Sequence, residues 1–461
     1  MTAVEQIGAS FRDPSGSVFS ADGIVYRQVN RSYRNQYDQL CQSGLYDDLA
    51  GRGLLISHAE VDHELLNDPA VYKVLQPRQL PLVTYPYEWS FSQLQDAALL
   101  TLDVLKHSLA RDMVLKDASA YNVQFLAGKP LFIDSLSFER YQQGQAWQAY
   151  EQFCQHFLAP LALMSYRDVR LSQLLRVHLD GIPLDLAVSL LPKRSWLNFG
   201  LSLHLRLHAR AQRRYLGTAP SAATPRRKRL VKKDLLNIAK DLRSTVAGLR
   251  WDHQQTDWAS YYAGDSYQEA GFASKCQIVS DFIGQARPQC LWDLGANTGV
   301  FSRIASQRGI FTVSVDSDPG AVEASYRQAK RDKDESIQPL LIDLTNPSAA
   351  IGWANSERDA LAKRCHADCL LALALIHHLA ISNNLPLGKI ASYFASMAEW
   401  LIIEFVPKSD KKVQQLLAAR EDIFADYSQS GFERAFADVY EFVQSADVED
   451  SARRLYLLRR R

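Results

Sequence analysis

The residues best placed to do chemistry lie in CLWDLGANTGVFSRIA, residues 290–305. An apolar run of strand character, Cys290 to Leu294, leads into Gly295-Ala296-Asn297-Thr298-Gly299, and helical spacing begins near Val300. A glycine turn of this kind brings backbone N–H groups and a helix N-terminus close to a ligand. Asp293, at the strand end, is suited to accept hydrogen bonds from a cationic or amine-bearing ligand. Two further strand-like runs also lead into aspartates: FTVSV (311–315) into Asp316, and PLLI (339–342) into Asp343. Asp316 stands 21 residues beyond Gly295, a placing suited to gripping a ribose diol. Three carboxylates at the ends of consecutive parallel strands share the C-terminal edge of one sheet, where open α/β sheets bind ligands.

The elements that must position these groups are legible around them. ADCLLALALIHHLA (367–380) reads as a fourth strand running out into His377 and His378, and WLIIEFVPKSD (400–410) as a fifth ending at Glu404. The terminal stretch VYEFVQSADVEDSARRLYLLRR reads as two strands joined by a polar turn. Strand-like and helical runs alternate through this half, which predicts a parallel α/β sheet. Residues 146–215 instead show apolar positions at three- and four-residue spacing, which predicts helices. Between the two lies GTAPSAATP (217–225) followed by RRKRLVKK, a linker by its small residues and two prolines. The expected division is 1–216, a basic linker 217–233, and 234–461.

Composition narrows the class. The chain has 461 residues, 47% hydrophobic and 22% charged, which excludes a disordered or fibrous protein. With 52 Lys and Arg against 51 Asp and Glu, no global field selects nucleic acid or an anionic membrane. Ten Lys and Arg between Leu201 and Lys233 form a local basic segment, centred on 206–233, that offers an RNA contact. Few aromatics interleave with it, so a solvated face is the favoured reading. The six cysteines are sparse, and the C-x3-C of Cys365 and Cys369 has no second pair at zinc-site spacing. The N-terminus carries no signal-peptide pattern and no window reaches the length of a membrane span, so the expected location is cytoplasmic.

The glycine turn and its flanking strands resemble the class I S-adenosylmethionine-dependent methyltransferases. Their first motif, an acidic residue followed by Gly-x-Gly-x-Gly, stands here as Asp293-Leu294-Gly295-Ala296-Asn297-Thr298-Gly299, with Asn in the middle glycine's place. Asn tolerates left-handed backbone angles better than most residues. The resemblance covers about 200 residues in the family's order and implies a Rossmann-like, seven-stranded α/β sheet whose last strand is antiparallel. It further implies that Gly295, Asn297 and Gly299 line the methionine part of S-adenosylmethionine, that Asp316 holds the ribose, and that Asp343 and Leu344 lie near the adenine. His377 and His378 are then candidate bases at the mouth of the site, and Glu404 is a candidate to orient one of them or to bind the acceptor. The aromatic segment before the first motif offers Tyr262 and Tyr267 as a lid over the cofactor, or else forms an ordinary helical cap.

A second pattern lies in MVLKDASAYNVQFLAGKPLFIDSLSFE, residues 113–139. Asp117-x4-Asn122 is followed by a β-hairpin turning at Ala127-Gly128-Lys129, and then by Asp134. This resembles the catalytic loop and metal-binding segment of aminoglycoside-kinase-like phosphotransferases, which implies an α+β kinase-like N-terminal domain. By that resemblance Asp117 is the base, Asn122 and Asp134 are magnesium ligands, and ATP is a second ligand. Lys116 and Ser135 depart from the pattern, and no glycine-rich phosphate loop is readable. The economical reading is a recognition or regulatory module without phosphotransfer.

As a whole, the chain is similar to bacterial nodulation-protein-related methyltransferases, which implies a small-molecule or glycan acceptor. The sequence therefore predicts an S-adenosylmethionine-dependent methyltransferase. A bifunctional kinase-methyltransferase and a catalytically inactive binding protein are the alternatives.

Overall fold

The computed structural model describes residues 4–207, 231–252, 269–418 and 420–461. The chain divides into two compact units, the first comprising 1–251 together with 350–359, the second 252–349 with 360–461.

In the first unit, β1 (Val4–Gln6), β2 (Gly16–Ala21), β3 (Ile24–Asn30), β4 (His58–Glu60) and β5 (Val71–Pro77) form a sheet in the order β1-β2-β3-β5-β4. All its pairings are antiparallel. The helix Phe91–Ala110 follows; Ser90 caps its N-terminus, accepting from the Gln93 N–H while the Gln93 side chain accepts from the Ser90 N–H. Two short pairs come next. β6 (Met113–Leu115) pairs with β9 (Phe138–Arg140), and β7 (Val123–Leu126) with β8 (Lys129–Phe132). The β7–β8 turn places Ala127 and Gly128 at φ of 50° and 69°, the mirror-image turn whose twist suits a two-residue hairpin. Largely helical chain runs on to Leu207, in line with the spacing read from the sequence.

The expected boundary at 234 differs from the structure. The helix Lys232–Gly248 buries Leu235, Ala239, Leu242 and Val246 and packs on Phe91–Ala110, where Gln95 Nε2 donates to the carbonyls of Val246 (2.8 Å) and Leu249 (3.1 Å). An amphipathic helix goes where its apolar stripe is covered, and that places the division after Trp251. Most of the basic linker, and both Tyr262 and Tyr267, lie outside the described residues.

The first unit also takes in a short excursion, 350–359. There Glu357 pairs with Arg12 at 2.6 Å, the Arg358 guanidinium lies 4.1 Å from the Tyr121 ring centroid, and the Asp359 N–H donates to Tyr85 Oη.

The second unit is built on β10 (Cys290–Leu294), β11 (Phe311–Asp316), β12 (Ile337–Leu341), β13 (Cys369–Ala372), β14 (Trp400–Phe405), β15 (Tyr440–Asp447) and β16 (Arg454–Arg460). They form one sheet in the order β12-β11-β10-β13-β14-β16-β15. The first five strands are parallel, and β16 inserts antiparallel between β14 and β15. The central strands are continuous apolar runs because helices cover both faces. Val279, Phe282, Leu291, Leu371, Ile402 and Leu457 meet in one buried cluster.

The helix Pro319–Asp332 shows how local sequence sets an element after β11. Asp318 accepts from the Gly320 and Ala321 N–H groups at its start, Pro319 occupies the first turn, and Lys333 at φ 55° ends it. Among the described residues, no helix is long and apolar enough to cross a membrane.

Candidate functional site

The turn after β10 requires its residue types. Gly295, Asn297 and Gly299 have φ of 72°, 51° and 79°, in the left-handed region. A Cβ on Gly299 would also come within 2.8 Å of Ser325 Oγ. The Gly295 and Ala296 N–H groups donate to the Val315 carbonyl, each at 2.9 Å, which ties the turn to β11. Asn297 adds a second tie, donating its backbone N–H to Asp316 Oδ2 at 2.7 Å.

These bonds open a cleft of about 290 Å3 at the C-terminal edge of the sheet. Gly295, Asn297, Asp316, Asp343, Leu344 and His378 line it, with apolar walls from Leu373 and Leu379. Asp316 also accepts the Asp318 N–H at 2.8 Å, yet burial pushes its carboxyl up to about 6. Asp343 is exposed, and its Oδ1 accepts from the Thr345 N–H at 2.8 Å and hydroxyl at 2.7 Å. The cleft thus offers one half-buried carboxylate beside a glycine cradle, and a more solvated one beside Leu344.

Other expected residues are not among those lining the cleft. Asp293 is 2% exposed and accepts the Ser302 hydroxyl at 2.6 Å. Its burial raises the carboxyl to about 7, and its contact is with the start of the helix Ser302–Ser306. Gly299 serves the turn and the close approach to Ser325 and does not line the cleft.

The two histidines divide. His378 lines the cleft, whereas His377 is 1% exposed and its Nδ1 finds no partner among the described residues. Their rings lie 4.2 Å apart. Burial lowers both imidazoles below their ordinary range, with His377 lowered further by His378 and His378 by Lys412. Both are therefore neutral at pH 7, the state in which an imidazole accepts a proton.

Glu404 is fully buried and pairs with Lys275 at 2.6 Å and Arg453 at 3.6 Å. Arg453 in turn holds Asp410, the cap of the helix Lys411–Leu417, at 2.8 Å. Burial lowers the Lys275 ammonium, and Glu404 opposes that shift. Glu404 is thus held in a buried charged network with Lys275 and Arg453. The sequence reading missed Lys275 and Arg453; the one local signal is a lysine on the otherwise apolar stripe of the helix Glu269–Ala286.

In the first unit, the structure brings Asp117, Asn122 and Asp134 into one neighbourhood. Asn122 Nδ2 donates to Ser137 Oγ at 3.2 Å, and Ser137 Oγ donates to Asp134 Oδ2. Burial, followed by the nearby Asp134 charge, raises the Asp117 carboxyl. Cys365 and Cys369 are buried free thiols.

The sheet of the second unit thus carries five parallel strands, with an antiparallel strand inserted between the fifth and the edge strand. No family model matches the chain. Among solved structures, it is similar to the bifunctional kinase-methyltransferase WbdD, at 16% identity and a TM-score of 0.30, covering 44% of this chain and 42% of that one. It is also similar to the magnesium protoporphyrin IX methyltransferase ChlM of Synechocystis, at 16% identity and a TM-score of 0.32, covering 44% of this chain and 93% of that one. The nodulation protein NoeA of Rhizobium meliloti is 36% identical over 460 residues, covering 99% of this chain and 96% of that protein. The chain belongs to the NoeA family of nodulation proteins.

Proposed function

We propose that the protein is an S-adenosylmethionine-dependent methyltransferase acting in the cytoplasm on a small-molecule or glycan acceptor. The observation that carries this reading is the convergence of the glycine turn, Asp316, Asp343 and His378 on one cleft at the sheet's C-terminal edge. These residues fit the cofactor. The turn has no side chain at Gly295 to fill the cradle, Asp316 offers a carboxylate for the ribose hydroxyls, and Asp343 with Leu344 offers a polar edge and an apolar face for the adenine.

When bound, the cofactor supplies an electrophilic methyl group on a sulfonium. The protein's own residues have simpler work, which is to bind, align and exclude water. His378, neutral and in the cleft, is the better placed of the two histidines to take a proton from a hydroxyl acceptor. His377 packs behind it. The first unit serves recognition or regulation in this reading, and the near-neutral net charge of the chain favours an acceptor other than nucleic acid.

The test is calorimetric titration with S-adenosylhomocysteine, paired with transfer of label from methyl-tritiated S-adenosylmethionine into an extract. Wild type is expected to bind, and Asp316→Ala to lose roughly 1–3 kcal/mol of affinity, about 5- to 150-fold. Absence of binding by a wild-type chain that melts cooperatively would overturn the proposal. Binding without label transfer into any fraction would favour the inactive binding protein.

A further inference from the structure

The resemblance of residues 113–139 to a phosphotransferase loop implies a divalent metal on Asn122 and Asp134. The surroundings of Asp134 do not fit one. Asp134 Oδ1 accepts from Arg27 Nη2 at 2.6 Å and from the Leu136 N–H at 2.9 Å, while Oδ2 accepts from the Ser137 hydroxyl. Both oxygens are thus engaged, and the carboxylate is nearly buried, at 8% exposure. The same Arg27 nitrogen reaches Asp13 Oδ2 at 3.4 Å. Lys116 stands beside them, with its ammonium 2.7 Å from Ser15 Oγ and 3.8 Å from Asp13 Oδ1. Two fixed positive charges therefore already face the carboxylates at positions 13 and 134.

A magnesium ion needs near-octahedral oxygen ligands at about 2.0–2.1 Å, with carboxylates free to approach it. A guanidinium cannot give up its proton to make way. Bringing a divalent cation to Asp134 would set it against Arg27 at the same oxygen, or force Arg27 out of a half-buried ion pair. Among the described residues, no group of three or more His, Cys, Asp or Glu is arranged to hold a metal.

We infer that Arg27, reaching across from β3, stands in place of the divalent cation at Asp134, so that the cluster is a metal-free, internally neutralised site and not a phosphotransfer centre. The inference is independent of the methyltransferase reading. It assigns Arg27 a positioning role: it fixes the Asp134 segment and, through Ser137, the side chain of Asn122.

The experiment is Mn2+ binding to the full chain, followed by electron paramagnetic resonance of the free ion. Wild type and Asp134→Asn are expected to give superimposable titrations. Arg27→Met is expected to gain one Mn2+ per chain, a gain lost in Arg27→Met/Asp134→Asn. A wild-type chain that binds one Mn2+ more than Asp134→Asn overturns the inference, and so does a folded Arg27→Met chain that gains none. If Arg27→Met fails to fold, the comparison of wild type with the near-isosteric Asp134→Asn still decides.

Discussion

Asp316 is the residue whose protonation bears most directly on the cleft. Its ordinary value near 3.8 is raised to about 6 because burial disfavours the charge more than the Asn297 and Asp318 N–H groups favour it. A ligand that uses the carboxylate as an acceptor must displace the proton held below that value. Affinity for S-adenosylhomocysteine is therefore expected to rise with pH up to about 6, by as much as tenfold per unit, and to level off above. Titration calorimetry from pH 5 to 8 checks this, and Asp316→Asn should flatten the profile. For the ligand-free chain the sign is reversed. Between 3.8 and about 6 the folded state holds a proton that the unfolded state has released, so Asp316 withdraws stability as pH rises through that window. The two histidines act oppositely. Their lowered values make folding less favourable as pH falls below the ordinary imidazole range, since the unfolded chain then binds protons the folded one refuses.

At the scale of elements, the Glu404 network joins the end of β14 to the helix Glu269–Ala286 through Lys275, and to the segment just before β16 through Arg453. Removing one member of a buried ionic group leaves its partners' desolvation poorly compensated, at a cost of about 3–5 kcal/mol. Glu404→Gln is expected to lower stability by about that amount in urea denaturation, and Lys275→Met/Glu404→Gln to recover part of it. A shift below about 0.5 kcal/mol would mean the network contributes little beyond a surface pair. The same elements show which parts of the molecule local sequence encodes. The turn after β10, the aspartate ending β11 and the one just beyond β12 are readable because their chemistry is contiguous: glycine angles, apolar runs and carboxylates fall within a few residues of each other. Glu404 was equally visible as a residue, but its role was not. Its partners Lys275 and Arg453 lie far off in the chain, and only folding reveals that the carboxylate points inward. Arg27 and Asp134 repeat the lesson, since an arginine in an apolar strand carries no local sign of the carboxylate it will meet. The expected domain limit at 234 and the division after Trp251 differ for a related reason: a proline-rich, basic stretch marks a break in packing, but not the unit to which the next helix belongs.

For the whole molecule, the notable feature is that the chain passes between units three times, after Trp251, after Ala349 and after Asp359. The short stretch 350–359 belongs to the first unit through the Arg12–Glu357 pair and the stacking of Arg358 on Tyr121. Cleavage at a single engineered protease site after Trp251 is therefore expected to yield fragments that coelute in size-exclusion chromatography and separate only in denaturant. Independent elution of the two fragments in native buffer would show that ten residues do not suffice to retain the first unit. The same routing bears on inheritance. A recombination event at position 251 would hand a new host a stretch fitted to a surface it had left behind, so the two halves descend most readily as one cassette.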